Sequence, residues 1–282
     1  MPGNTNLRDN PDSRLLGGTI HQHEGPLLPA IYGLIDQESN VINAIGYAEQ
    51  EYEKWYGIKH KNRKHLRNSI YAITEFSRTK LSKYRIISCP GCYPTSIQIP
   101  LIPLIKKKSI EVENIIIDSK SGYSGAGKNI KKKFKFKNLF NSVSAYGVGK
   151  HRHMAEIDQE LSKLSKNKIN VSFTPHLIPM FRGILSTIYV EKKGTISTKK
   201  VLNFLIKFYK KHKFIRIYKK NTLIGTKNVI NTNYCDISIC ETNDSNGLVI
   251  LSAIDNLIKG GAGQGVQNMN TLFNFKNDEG LR

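Results

Sequence analysis

The segment Cys89-Pro90-Gly91-Cys92-Tyr93-Pro94-Thr95-Ser96 constrains this chain more than any other. An apolar, strand-like run over 84–88 precedes it, and Thr95 or Ser96 can start a helix after it. Pro and Gly between the two require a tight turn, so the segment reads as strand, turn and helix. Cys92 then stands at the mouth of a helix, where backbone N–H groups and the positive end of the helix dipole favour a thiolate. The expectation is a nucleophilic thiol with a depressed pKa.

At 282 residues the chain can bury a sizeable core, as two domains or as one with an insertion. Its formal net charge is +21, from 43 Lys and Arg against 22 Asp and Glu. Such a balance favours polyanions. The lysines, however, are scattered in short runs (106–108, 131–133, 192–193) with no interleaved aromatics. That distribution argues against a specific nucleic-acid module, while an anionic substrate or cofactor would gain from the same field. No stretch reaches the roughly 18–20 apolar residues of a membrane span. Residues 1–6 lack the apolar core of a secretory signal. A cytoplasmic protein with reduced cysteines is expected.

The first 38 or so residues are polar, and the chain then alternates in the α/β manner. Apolar runs predict strands over 85–88, 115–118, 171–173, 185–190, 214–218, 234–240 and 248–254. Helices are expected after Thr95, over 197–212 and over 264–273. Pro100 and Pro103 predict a kink or an early stop in the first. In the second, Ser197 or Thr198 caps, and Val201, Leu202, Leu205, Ile206 and Tyr209 recur at helical spacing.

Cys89 and Cys92 form a Cys-x-x-Cys pair with three readings: a redox dithiol, half of a zinc site with Cys235 and Cys240, or a single nucleophile at Cys92. A strand over 234–240 would splay Cys235 and Cys240 onto opposite faces, which argues against zinc. His151 and His153 can be structural, or can serve as acid/base groups near a nucleophile. The small-residue segment Ser121-Gly122-Tyr123-Ser124-Gly125-Ala126-Gly127-Lys128 could cradle a phosphate, but it is not a Walker sequence.

Order and wording together match a family. From about Tyr52 to Arg282 the chain resembles N-acetyl-gamma-glutamyl-phosphate reductase, the NADPH-dependent enzyme of arginine biosynthesis. The matching stretches include 52–57 (Tyr-Glu-Lys-Trp-Tyr-Gly), 90–95 (Pro-Gly-Cys-Tyr-Pro-Thr), 119–127, His151-Arg152-His153, 173–183 and 255–270. The resemblance implies that Cys92 attacks an acyl phosphate, that NADPH reduces the resulting thioester, and that His151 is the acid/base group with His153 the second choice. It implies Arg152, Arg182 and His153 as substrate contacts. Cofactor contacts would be Ser121, Gly122, Ser124, Gly125, Ala126, Gly127, Asn256, Gln264 and Asn268. No metal is implied. The implied fold combines α/β and α+β: a Rossmann-type cofactor domain, present only as a remnant, and a mixed-sheet catalytic and dimerisation domain. The implied divisions are 1–90 (with 1–40 unassigned), 91–258, and a C-terminal helix over 259–282 that returns to the cofactor domain. A homo-oligomer acting on a small acyl phosphate is expected.

Three departures accompany the match. The family's opening strand, glycine-rich turn and helix are not found; the half that carries them is either missing, the preferred reading, or diverged. Cys89 stands where the family has Asn, placing a second thiol beside the nucleophile, and Ala155 replaces a Pro. A chain that keeps the catalytic domain but binds cofactor poorly, serving as an oligomerising module, therefore stands as an alternative. So does a related reductase of a lysine pathway.

Overall fold

A computed structural model of the protein describes residues 30–32, 66–126 and 141–282. The expected features at 52–57, Gly127 and Lys128, and the reading of residues 1–40 other than 30–32, lie outside the described residues.

Two sheets organise the chain. The smaller has three parallel strands in the order β1 (Ala30–Tyr32), β3 (Ile86–Ser88), β2 (Ser69–Tyr71). The larger is a mixed seven-stranded sheet in the order β5-β6-β4-β7-β10-β9-β8. Its strands are β4 (Ile116–Gly122), β5 (Ser144–Ala145), β6 (Ser172–Ile178), β7 (Ile184–Glu191), β8 (Ile215–Ile217), β9 (Cys235–Glu241) and β10 (Gly247–Ile254). β4 runs parallel to β6 and β8 parallel to β9, and the other neighbours are antiparallel. This is the expected α/β and α+β architecture.

Alternation along the strands decides which face is covered. Ile184, Ser186, Ile188 and Val190 of β7 are buried, while Leu185, Thr187 and Tyr189 point to the other face. The buried face packs under α2 (Cys92–Lys106), α3 (His153–Ser162) and α4 (Thr198–Tyr209), whose Leu101, Ile157 and Leu205 join one core with Ile117, Ile188 and Ile250. α4 begins as expected: the Ser197 hydroxyl accepts from the Lys200 N–H at 3.3 Å.

Helix α2 corrects two expectations. It starts at Cys92 rather than Thr95, and it runs through Pro100 and Pro103 to Lys106 without stopping. Every residue from Tyr93 to Ile105 is buried, and that packing outweighs roughly 3 kcal/mol of intrinsic cost per interior proline. Pro103 lacks the N–H that would reach the Ile99 carbonyl; Tyr209 Oη of α4 donates to that oxygen instead, at 2.5 Å. β4 also runs longer than expected and takes in Ser121 and Gly122.

The last helix, α5 (Gly263–Leu272), returns to the small sheet. Leu272 packs near Ala72, Leu81 and Ile87. Asn268 Oδ1 accepts from the Thr74 hydroxyl at 2.6 Å, on the short helix α1 (Thr74–Ser77). Between β10 and α5 lies a wide turn, Ile258–Ala262, kinked at Gly261, whose φ of −159° and ψ of −109° are not helical.

Candidate active site

β3 ends at Ser88 and the chain turns through Cys89 and Pro90 to Gly91, the N-cap of α2, with Cys92 its first residue. Pro94 sits in the first turn, where a missing N–H costs nothing, while Thr95 donates its N–H and its hydroxyl to the Gly91 carbonyl, both at 2.9 Å. The Gly91 N–H donates to Glu156 Oε2 at 2.9 Å, and that oxygen also accepts from Tyr71 Oη at 3.0 Å. Gly91 has no room for a side chain, because a β-carbon there would stand 2.4 Å from His153 Nε2.

The half-buried Cys92 thiol is pushed up to about 12 by burial, with the nearby Glu156 charge adding to it. The Tyr93 and Cys92 N–H groups pull the other way and lose. The expected depressed thiol is therefore reversed in this state. The helix terminus acts as foreseen, but desolvation is larger. Cys89 is buried, its thiol also raised, to about 11, and all four cysteines are free.

Gly147 (φ +59°) and Gly149 (φ +67°) shape the turn that delivers the histidine pair. His151 lies on that turn and His153 opens α3, so their rings meet at 4.8 Å between centroids. The His153 N–H donates to His151 Nδ1 at 3.2 Å, leaving the proton of the neutral ring on Nε2. The ring also packs edge-on against Tyr93 and Tyr146, at 5.5 and 5.4 Å. Burial, then the Arg152 charge, lowers His151 to about 4. Burial also holds His153 well below its ordinary range, helped by His151 and Arg152, and its Nδ1 is buried without a hydrogen-bond partner. Both rings are neutral at pH 7. Neither is hydrogen-bonded to the Cys92 sulfur; Tyr93, next to Cys92, spans the gap.

The described part of the glycine-rich segment, 121–126, is divided between two elements. Ser121 and Gly122 close β4 and Tyr123–Ala126 is a 3-10 turn. The N–H groups of Gly122, Tyr123 and Ser124 are used internally, donating to the carbonyls of Gly183, Met180 and Phe181 at 2.9–3.0 Å. Asn256 knits this turn to the neighbouring loop: its Oδ1 accepts from the Gly183 N–H at 2.7 Å and its Nδ2 donates to Ser124 Oγ at 3.0 Å. A β-carbon on Gly125 would press on both Asn256 and Ser121, 3.2 Å from each. Arg182 pairs with the buried Asp255 at 3.4 Å and donates to Asn231 Oδ1. Arg152 sits half-buried between the histidines as the N-cap of α3. Gln264 and Asn268 are fully buried and bonded to Thr74, where they tie α5 to α1, and Asn268 Nδ2 also donates to Cys89 Sγ at 3.4 Å, on the turn before Cys92.

Sequence reasoning missed two wall residues. Glu156 follows His153 by three, one helical turn along the same face of α3. Gly260 packs on Cys92 itself: a β-carbon there would stand 2.7 Å from Cys92 Cβ. The run Lys259-Gly260-Gly261 was the available signal for the second.

Residues 92–256 match the family model described as semialdehyde dehydrogenase, dimerisation domain. Solved structures of similar fold include aspartate semialdehyde dehydrogenase II from Vibrio cholerae, with TM-score 0.60, 16% identity, and coverage of 76% of this chain and 71% of that one. A probable aspartate-semialdehyde dehydrogenase from Pseudomonas aeruginosa gives TM-score 0.57 at 14% identity, covering 73% and 69%. Among relatives by sequence, N-acetyl-gamma-glutamyl-phosphate reductase of Clostridium kluyveri is 45% identical over 83% of this chain and 68% of its own length. The enzyme of the same name from Alkaliphilus metalliredigens is 42% identical, over 82% and 66%. A probable chloroplastic one from Arabidopsis thaliana is also 42% identical, over 82% and 58%. The chain thus spans from somewhat over half to about two thirds of the length of these relatives. By these matches, and by the strand–turn–helix that carries Cys92, the chain belongs to the N-acetyl-gamma-glutamyl-phosphate reductase family.

Proposed function

We propose that the chain catalyses reduction of N-acetyl-gamma-glutamyl phosphate to the semialdehyde, releasing phosphate, through a thioester on Cys92. The observation that carries this reading is the placement of Cys92 as the first residue of α2, half-buried, with the histidine pair packed on its neighbour Tyr93. The thiol gives up its proton as sulfur attacks the acyl carbon, and the C–O bond to phosphate breaks. With the thiol at about 12, the proton must leave as the bond forms. His151, protonated at Nε2, is set to donate toward the developing oxyanion or the departing phosphate. His151 is the acid/base group for the thiol proton, with His153, whose Nε2 faces Gly91, the second choice. The Cys92 and Tyr93 N–H groups add oxyanion donors. Arg152 and Arg182 are the cations for the phosphate or carboxylate; the Asp255 partner sets the Arg182 fork in place.

For NADPH the residues fit in part. Ser124 and Gly125, half-buried, and the buried Asn256 form a polar patch suited to an amide end, and Gln264 keeps one buried, unpartnered carbonyl oxygen. When bound, NADPH supplies the hydride. The expected divisions near 90 and 258 accord with this reading, the family-model match beginning at 92 and ending at 256. The face of the large sheet away from α2, α3 and α4 is the surface for a second copy.

The cofactor-poor reading has its own support. The N–H groups of Gly122, Tyr123 and Ser124, and the side chain of Asn268, are already committed within the chain. Calorimetry with NADPH separates the two: micromolar binding supports the reductase, and no binding at millimolar cofactor by a folded sample sinks it. Given binding, the acyl-phosphate assay should show activity that Cys92→Ser abolishes; a fully active Cys92→Ser enzyme would overturn the thioester.

A further inference from the structure

Lys259 is completely buried, and its ammonium reaches Glu75 Oε1 at 2.6 Å and Gln267 Oε1 at 2.8 Å. Glu75 belongs to α1, beside the small sheet, and is itself buried. Gln267 of α5 bridges the pair, its Nε2 donating to the same Glu75 oxygen at 2.9 Å. Removing two charges from water is costly, and an apolar pair of the same volume would serve the core as well or better. The best-attested use of such a pair is to fix a register.

A register is what this turn needs. The Gly260 N–H bonds the Asp255 carbonyl and the Ala262 N–H bonds the Leu257 carbonyl, both at 3.0 Å and both five residues back. This wide turn is rarer than the α form and occurs chiefly at functional sites. Its front end is pinned: Asp255 accepts from the Leu257, Ile258 and Asn231 N–H groups, and Asn256 holds Gly183. Lys259, within the turn, is held by Glu75 and Gln267. Gly260, the next residue, lies against Cys92. Relaxation to α-type bonds would have to rebuild the turn through the non-helical Gly261 and would take the Gly260 face off the thiol.

We propose that the Lys259–Glu75 pair is a register lock, through which the small-sheet layer holds the 258–262 turn in its wide form and keeps Gly260 as the wall over Cys92. Lys259 and Glu75 are positioning residues. Their effect on chemistry rests on the reading of Cys92 as nucleophile; the register itself does not.

The test compares the parent with Lys259→Met and with the apolar double variant Glu75→Leu/Lys259→Met. Thermal unfolding, hydrogen exchange of peptides spanning 255–263 and mass-spectrometric alkylation of Cys92 by iodoacetamide are followed. The single variant strands a buried carboxylate and should unfold at lower temperature. The double variant should regain most of that loss. It should nevertheless exchange about tenfold faster over 255–263, with Cys92 alkylation accelerated by a similar factor. Parental exchange over 255–263 in a folded double variant overturns the lock and leaves the pair a packing element. A double variant that cannot fold overturns it as well, since the pair then serves the fold itself. If exchange rises as expected while Cys92→Ser stays active, the lock stands and the nucleophile assignment falls.

Discussion

Gly260 and Cys92 touch backbone to side chain: a β-carbon at Gly260 would stand 2.7 Å from Cys92 Cβ and 3.0 Å from its Cα. Gly260→Ala should therefore displace the nucleophile rather than merely crowd it. The overpacking cost is about 1–3 kcal/mol, and a displacement of ångström scale costs about a hundredfold in rate. Thermal unfolding together with the turnover rate checks this. A variant with parental turnover would show that the turn yields freely.

Glu156 accepts from the Gly91 N–H and from Tyr71 Oη, so its carboxylate supports the turn before Cys92 from beneath. Glu156→Ala leaves a buried N–H without an acceptor and should destabilise the protein by about 1–3 kcal/mol. Glu156→Gln keeps an acceptor oxygen and should lose less. Denaturant titration of both variants gives the comparison, and equal losses would refute the role of the oxygen.

The pH behaviour of the thiol follows from burial. A free cysteine shows a half-maximal alkylation rate near pH 8.5, whereas Cys92, raised to about 12, holds a negligible thiolate fraction at neutral pH. In substrate-free protein the Cys92 alkylation rate should climb through pH 9 and beyond without a plateau. His151, lowered to about 4, is neutral throughout that range and should add no inflection between pH 5 and 8. A plateau below pH 8 would contradict this.

Burial alone would raise Glu75; the charge and hydrogen bond of Lys259 outweigh it and hold the carboxyl below its ordinary value. A depressed carboxyl contributes stability that is present above its unfolded pKa, about 4.3, and is lost as pH falls through the lower folded value. Melting temperature should accordingly drop on acidification below about pH 4, and less steeply in the Glu75→Leu/Lys259→Met variant. Identical acid profiles would show that other carboxylates govern the transition.

On the face of the large sheet away from α2, α3 and α4, Ile116 of β4 stands opposite Tyr189 of β7, and they are 49% and 44% exposed among the described residues. Leu185, Val249 and Leu251 share that face, half-buried. Tyr189→Lys should convert an oligomer into a monomer of unchanged fold, read by light scattering and circular dichroism. An unaltered oligomer would place the interface elsewhere.

Most of the α/β order was legible, because apolar runs and alternation are local properties of a strand and its two neighbours. The strands 185–190 and 248–254, the Ser197 cap and the last helix fall within a few residues of where the pattern put them. Cys92 and the histidine pair were also legible, since a turn of Pro and Gly and a His-x-His spacing are written in consecutive residues. Pro100 and Pro103 misled, because what rescues α2 is remote: a fully buried surround and a hydroxyl from Tyr209. The thiol misled for a similar reason. The helix terminus that favours a thiolate is local, whereas the desolvation that opposes it comes from chain folded over it. Gln264 and Asn268 read from the sequence as cofactor contacts, and no local pattern shows that both also bond Thr74 of α1. By itself the sequence determined the elements, the nucleophile turn and the polarity of each strand face. Only the tertiary structure decided what surrounds Cys92, because Gly260, Glu156 and the Lys259–Glu75 pair are brought together across 65 to 184 residues of chain by packing that no local pattern encodes.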